Sequence, residues 1–263
     1  MGKISESDGL VAHILDVAHT VVGDELERVI LYGSYVWGGR QPGSDIDVAI
    51  LHADGVKVSQ LDLIKACGHD HGDIQFYVAK ARKVDSRRRF RICMDAKIAN
   101  DGLVIFDSGR RFEPLDADCA RTEVVKERFR HSAAAILRAM RIGRKLMRGG
   151  PDIKDMSTYL AMTVAKQSLL GAVFGLHAYL LDHDIDPSPK PLRWSVANLL
   201  DAAAWINPSW NARKPDAASL PPEHQFPEDR YLEDCPVTNA EAEQALLAAI
   251  RIHWKLREWR NHR

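Results

Sequence analysis

At about residue 116 the texture of the chain changes, and this limits the folds open to it more than any other feature. Before that point, short β-branched and aromatic runs alternate with helical patterns. RVILY (28–32), DIDVAIL (45–51), DIQFYVA (73–79) and LVIFD (103–107) read as strands. Residues 8–21, 57–67 and 85–99 carry helical patterns between them. After it, strand-like runs stop. Residues 118–147 predict one long helix, ended by Gly149, Gly150 and Pro151. Residues 156–182 predict a second, densely apolar helix and 191–205 a third. Thr238 or Asn239 can cap a last helix over 240–260. The proline-rich segment 207–237 reads as a long irregular excursion. The expected fold is α+β. Residues 1–115 form a mixed sheet with flanking helices, and residues 116–263 an all-α bundle.

A chain of 263 residues is long enough for two such cores. Lys plus Arg equals Asp plus Glu at 36 each, so no global field draws the chain to nucleic acid or to a membrane. Its consecutive apolar runs fall short of the roughly 20 residues of a membrane span. The opening MGKISESDG lacks an apolar signal core behind a positive start. Cys67, Cys93, Cys119 and Cys235 are widely spaced and form no CxxC pair. These features predict no membrane partner and a reduced, cytoplasmic setting.

The chemistry concentrates in Gly33-Ser34, a spacer of ten residues, and Asp45-Ile46-Asp47. Residues two apart on a strand share a face, so Asp45 and Asp47 converge while Ile46 points into a core. Two hard carboxylates suit Mg²⁺, which keeps water and substrate phosphates in its shell. A second ion about 3.5–4 Å away would complete a two-metal phosphoryl-transfer site. Gly33 lets a backbone approach a phosphate, and Ser34 adds a hydroxyl donor. No GKS or GKT follows, which disfavours P-loop chemistry.

GSYVWGGRQPGSDIDV resembles the signature of the minimal nucleotidyltransferases of the DNA polymerase β superfamily. It is met by Gly33, Ser34, Gly39, Ser44, Asp45 and Asp47. Asp73 stands where that family places a third carboxylate on a later strand, with Asp70 as competitor. IANDGLVIFDSG (98–109) resembles the family's helix-to-last-strand closure. The resemblance implies that Asp45 and Asp47 bind the metals and that Asp73 either completes the metal site or takes the acceptor's proton. Gly33, Ser34 and Ser44 would hold the nucleotide. The helical half resembles, at the level of pattern, the HEPN-type bundles and the helical domain of aminoglycoside adenylyltransferases. There Lys166 is a candidate for triphosphate contact, against a lysine whose stem merely covers apolar surface.

The implied reaction is Mg²⁺-dependent transfer of a nucleoside monophosphate, AMP from ATP, to an acceptor hydroxyl with release of pyrophosphate. An aminoglycoside-like small molecule is one acceptor, and LLDHDID (180–186) could supply an acidic wall for it. A protein or RNA acceptor in a toxin–antitoxin or stress system is the alternative. KARKVDSRRRFR (80–91), with seven basic residues, would then be the nucleic acid contact. A silent nucleotide-binding module is a third reading.

Weaker signals have ordinary explanations. Cys67, His69, Asp70 and His71 could hold zinc but read as a polar loop. Arg257 and His262 match the Arg–His spacing of HEPN ribonucleases, yet a basic last turn also suits the helix dipole. Trp194, Trp205, Trp210, Trp254 and Trp259 read mostly as packing.

Overall fold

The computed structural model describes residues 8–38, 44–68, 73–148, 157–221 and 237–262. By contacts the chain divides into two compact units, Met1–Ala120 and Arg121–Arg263. The first is α+β and the second helical, as the change of texture predicts.

In the first unit, strands β1 (Leu26–Tyr32), β2 (Ile46–His52), β3 (Ile74–Lys80) and β4 (Leu103–Asp107) form one mixed sheet in the order β3-β2-β1-β4. β1 runs antiparallel to β2 and to β4, while β2 and β3 are parallel. Every residue of β2 is buried. Strand alternation divides its side chains between two cores. Ile46, Val48 and Ile50 pack with Val29 and Leu31 against Ile14, Val17 and Ala18 of helix α1 (Asp8–Val22) and Leu63 of another helix. Ala49 and Leu51 pack with Ile30 on the opposite face, against Val84 and Ile98. Asp47 belongs to this second face.

Helix α2 is a single turn, Ser34–Trp37, directly after β1. α3 (Gln60–Cys67) begins later than its apolar pattern suggests, because the Ser59 side chain accepts from the Asp62 amide and sets the N-cap. The helix expected over 85–99 is two, α4 (Ala81–Ser86) and α5 (Met94–Asp101). Between them the backbone turns twice, with the Phe90 amide donating to the Arg87 carbonyl and the Cys93 amide to the Phe90 carbonyl, both at 2.9 Å, and Phe90, Ile92 and Cys93 are buried.

The second unit is built from most of α6 (Ala117–Arg148), α7 (Ser157–Asp182), short α8 (Lys190–Arg193), α9 (Val196–Ile206) and α10 (Asn239–Asn261). Gly149, Gly150 and Pro151 lie outside the described residues. α7 is the core helix, with Val173, Leu176 and Leu180 fully buried. By length and composition it could cross a membrane, although Lys166 and Gln167 break its consecutive apolar runs. Within the unit, 61% of its apolar window is buried, as in a central core helix. The expected irregular excursion begins as a 3₁₀ stretch, Pro208–Ser219, anchored by buried Trp210 and by Asp216, whose Oδ1 accepts from Arg251 Nε at 2.7 Å. Thr238 caps α10 in a reciprocal capping box with Glu241.

Candidate active site

The site is assembled where β1 ends and β2 and β3 begin. Register places Tyr32, the last residue of β1, opposite Asp47, and Asp47 opposite Gln75 of β3. Asp45 precedes β2 by one residue and Asp73 precedes β3 by one, with Ile46 paired to Ile74. The Ile46 amide donates to the Asp73 carbonyl at 2.6 Å, tying the two strand entrances together. Asp45, Asp47 and Asp73 thus stand at one end of two adjacent strands.

Their exposure grades outward. Asp47 is 8% exposed, Ser44 and Asp45 are half-buried, and Asp73 is exposed. Gly33 is buried beside Asp47 with φ of 73°. Its carbonyl accepts from the amides of Val36 at 3.2 Å and Trp37 at 2.9 Å, which folds α2 back over the end of β1. Ser34, half-buried, opens that turn.

Among the described residues, no three His, Cys, Asp or Glu side chains gather closely enough to hold a metal ion. The donor set still fits a hard divalent cation. Two carboxylates two residues apart, one on β2 and one just before it, offer oxygen ligands, and Mg²⁺ habitually fills its remaining positions with water and substrate phosphate. Asp47, beside the glycine backbone, and half-buried Asp45 are the residues that could hold such a cation.

Sequence reasoning passed over Trp37, which stands in the spacer between the two halves of the motif. Its indole nitrogen donates to the Asp101 carbonyl at 2.9 Å, and Lys97 Nζ lies 4.8 Å from its ring centroid. The Tyr32 ring is 6.1 Å away. These contacts fasten the turn after Gly33 to α5. An aromatic residue inside a glycine-rich spacer was the available signal.

Gly39, His69, Asp70 and His71 lie outside the described residues. Cys67 is buried, burial raises its thiol pKa, and its Sγ lies 3.6 Å from His13 Nε2. Lys166 is half-buried on α7, in the helical unit. Arg257 packs over the Trp254 ring at 5.0 Å. In the acidic stretch, Asp184 pairs with Arg121, and the Asp186 carboxylate accepts from the Ser188 amide at 2.9 Å.

The basic stretch is largely consumed by its own unit. Lys80 and Arg82 pair with Asp54 at 3.6 and 3.8 Å, and Lys83 and Arg87 with Asp95 at 3.7 and 2.9 Å. Arg88 and Arg89 donate to the carbonyls of Ala99 and Ala117 at 2.9 and 2.6 Å.

Residues 21–89 match the family model for the nucleotidyltransferase domain. The chain carries a nucleotidyltransferase domain. The matched span runs from the end of α1 to just beyond α4, and contains Gly33, Ser34, Ser44, Asp45, Asp47 and Asp73. Its class of activity is transfer of a nucleotidyl group, and an NTP is therefore its substrate. Among solved structures, the chain is similar to a nucleotidyltransferase-like protein from Exiguobacterium sibiricum 255-15. Identity is 13%, coverage 94% of this chain and 75% of that one, and the TM-score 0.32. Among curated proteins no match is found.

Proposed function

We propose that the chain is a Mg²⁺-dependent nucleotidyltransferase that moves AMP from ATP onto a hydroxyl of a small-molecule acceptor, with release of pyrophosphate. The observation that carries this reading is the apposition of the Gly33 backbone and the Asp47 carboxylate at one end of the sheet, with Asp45 two residues from Asp47. Asp45 and Asp47 would hold the cations, two in number, which when bound would supply neutralisation of the triphosphate and of the charge that develops as pyrophosphate leaves.

The chain's own groups do the rest. Ser34 and Ser44 donate hydroxyl hydrogen bonds to phosphate oxygens, and Gly33 lets the backbone approach them. The acceptor oxygen forms a bond to the α-phosphorus as the bond from that phosphorus to the bridging oxygen breaks. The acceptor's proton passes to a carboxylate within hydrogen-bond reach, and exposed Asp73 is the available base; alternatively it adds a metal ligand. Residues 1–115 supply this chemistry, and residues 116–263 are the candidate source of acceptor recognition.

Internal pairing of the 80–91 stretch favours a small-molecule acceptor over RNA. The described cysteines, Cys67, Cys93 and Cys119, carry thiols rather than disulfides, which supports a reducing, cytoplasmic setting. The test is pyrophosphate release with Mg²⁺, each of the four NTPs and an acceptor panel that includes aminoglycosides. Release with ATP, lowered about a thousandfold in Asp47→Asn, is expected. Absence of both release and NTP–Mg²⁺ binding would leave only a silent module.

A further inference from the structure

A cavity of about 590 Å³ opens in the helical unit, at the end of α7 and between the start of the 3₁₀ stretch and the last turns of α10. Its volume is that of a small-molecule site. None of the residues named for the proposed reaction lines it, so its ligand is a separate question.

The walls are aromatic and fixed. Tyr179 and Trp210 are 2% and 1% exposed, while Trp259 is half-exposed. The Tyr179 ring meets Trp210 at 5.1 Å and 61°, and Trp259 at 5.3 Å and 77°. The Trp210 side chain also hydrogen-bonds Tyr179, as donor, since an indole nitrogen can only donate. Two indoles are thereby locked edge-to-face around one phenol, with their planes set before any ligand arrives.

The polar groups are few and of both kinds. His183, 4.4 Å from Tyr179 ring to ring, donates from Nδ1 to the Tyr179 carbonyl at 2.8 Å. A neutral imidazole bonded in that way presents Nε2 as an acceptor. Lys255 Nζ lies 3.4 Å from Glu258 Oε2, so the two charges cancel while leaving a donor and an acceptor at the wall. Asn207 adds an amide. A triphosphate would meet Glu258 and a polycation would meet Lys255. A flat, neutral ring with donor and acceptor edges meets neither difficulty.

We propose that this cavity binds a nucleobase-class heteroaromatic, stacked on Trp259 and read at its edge by His183, Lys255 and Glu258. Stacking of a base on an aromatic side chain contributes about 1–3 kcal/mol, or roughly 5- to 150-fold in affinity. The probes are free adenine, hypoxanthine, cytosine and uracil, titrated calorimetrically into the full chain without metal or phosphate. Saturable one-site binding of at least one base is expected, weakened about tenfold or more in Trp259→Ala, largely retained in Trp259→Phe and unchanged in Asp47→Asn. His183→Ala, at a half-buried position, gives a second reading should Trp259→Ala fail to fold. No saturable binding at millimolar base would overturn the proposal. So would binding that survives both wall variants, or that is lost in Asp47→Asn, which would put the base at the carboxylate site.

Discussion

The Cβ that Gly33 lacks would stand 1.9 Å from Oδ2 of Asp47 and 2.8 Å from its carboxyl carbon. Backbone and carboxylate are therefore in contact across the β1–β2 pair, and only glycine permits it. A φ of 73° at the same residue adds a second reason. Gly33→Ala must either swing the Asp47 carboxylate out of its rotamer or reshape the turn that carries Ser34. Nucleotidyl transfer is expected to fall at least about a hundredfold, and stability by about 1–3 kcal/mol. Pyrophosphate release and urea unfolding, run on the same preparation, read the two effects separately. Near-normal turnover in Gly33→Ala would detach this contact from catalysis.

Arg87 and Asp95, eight residues apart, form a buried ion pair at 2.9 Å, each 3% exposed or less. The Tyr77 hydroxyl donates to the same carboxylate, and Lys83 lies 3.7 Å from it. The pair closes the corner between α4 and α5, on the sheet face that carries Asp47. Asp95→Ala leaves a buried guanidinium without its counter-charge and should cost about 3–5 kcal/mol. Asp95→Asn keeps an acceptor for Tyr77 and Arg87 and should cost less. Urea midpoints of the two variants decide the point, and a loss below about 1 kcal/mol in Asp95→Ala would show the corner to be held by its apolar residues alone.

This corner also marks the limit of what local pattern could reveal. Strands β2, β3 and β4 were legible because alternation and β-branching act within a few residues; of the two carboxylates expected on β2, Asp47 lies on the strand and Asp45 just before it. β1 starts earlier than its apolar run, at Leu26, because buried Glu27 interrupts the pattern; Ser108 donates to its carboxylate at 2.6 Å, and Arg110 is 3.2 Å away. Partners this distant in sequence leave no local trace. The α4–α5 break was hidden for the same reason, since an arginine-rich run reads as helix until Asp95 is seen to claim Arg87. Trp37, bonded to Asp101, and the three-segment wall around Tyr179 are likewise tertiary facts.

Two helical glycines should respond in opposite directions to the same change. Gly171, buried on α7, faces α6: an added Cβ would lie 2.5 Å from Ile136 Cγ1, and the Gly171 carbonyl accepts from Ser132 Oγ at 2.7 Å. Gly143 on α6 offers its Cβ 3.4 Å from Leu246 Cδ2, an ordinary contact. Alanine gains up to about 1 kcal/mol over glycine in a helix interior. Gly143→Ala should keep that gain. Gly171→Ala should lose it to overpacking and be destabilised by about 1–3 kcal/mol. Thermal melts of both variants decide, and a stabilised Gly171→Ala would refute the close α6–α7 approach.

His177 makes stability depend on pH. It is 2% exposed, and Nε2 donates to the Arg193 carbonyl at 2.8 Å, so Nδ1 carries the lone pair. Burial, and then the nearby Arg128 cation, push its pKa down to about 3. The unfolded chain takes up this proton near 6.5, and the folded unit only near 3. Between those values the unfolded state binds more protons, so stability falls as pH falls. Each pH unit well inside that window costs about 1.4 kcal/mol. His253, lowered mainly by burial and then by Arg257, acts in the same direction. Urea unfolding at pH 7, 6 and 5 should show the decline, with the steeper slope at the lower pair. His177→Gln retains an amide donor for Arg193 and removes one titrating group. Its stability at pH 7 should be lower, but its slope shallower by up to one proton per molecule. Equal slopes in the two proteins would mean that His177 reaches water and takes up its proton in the folded state.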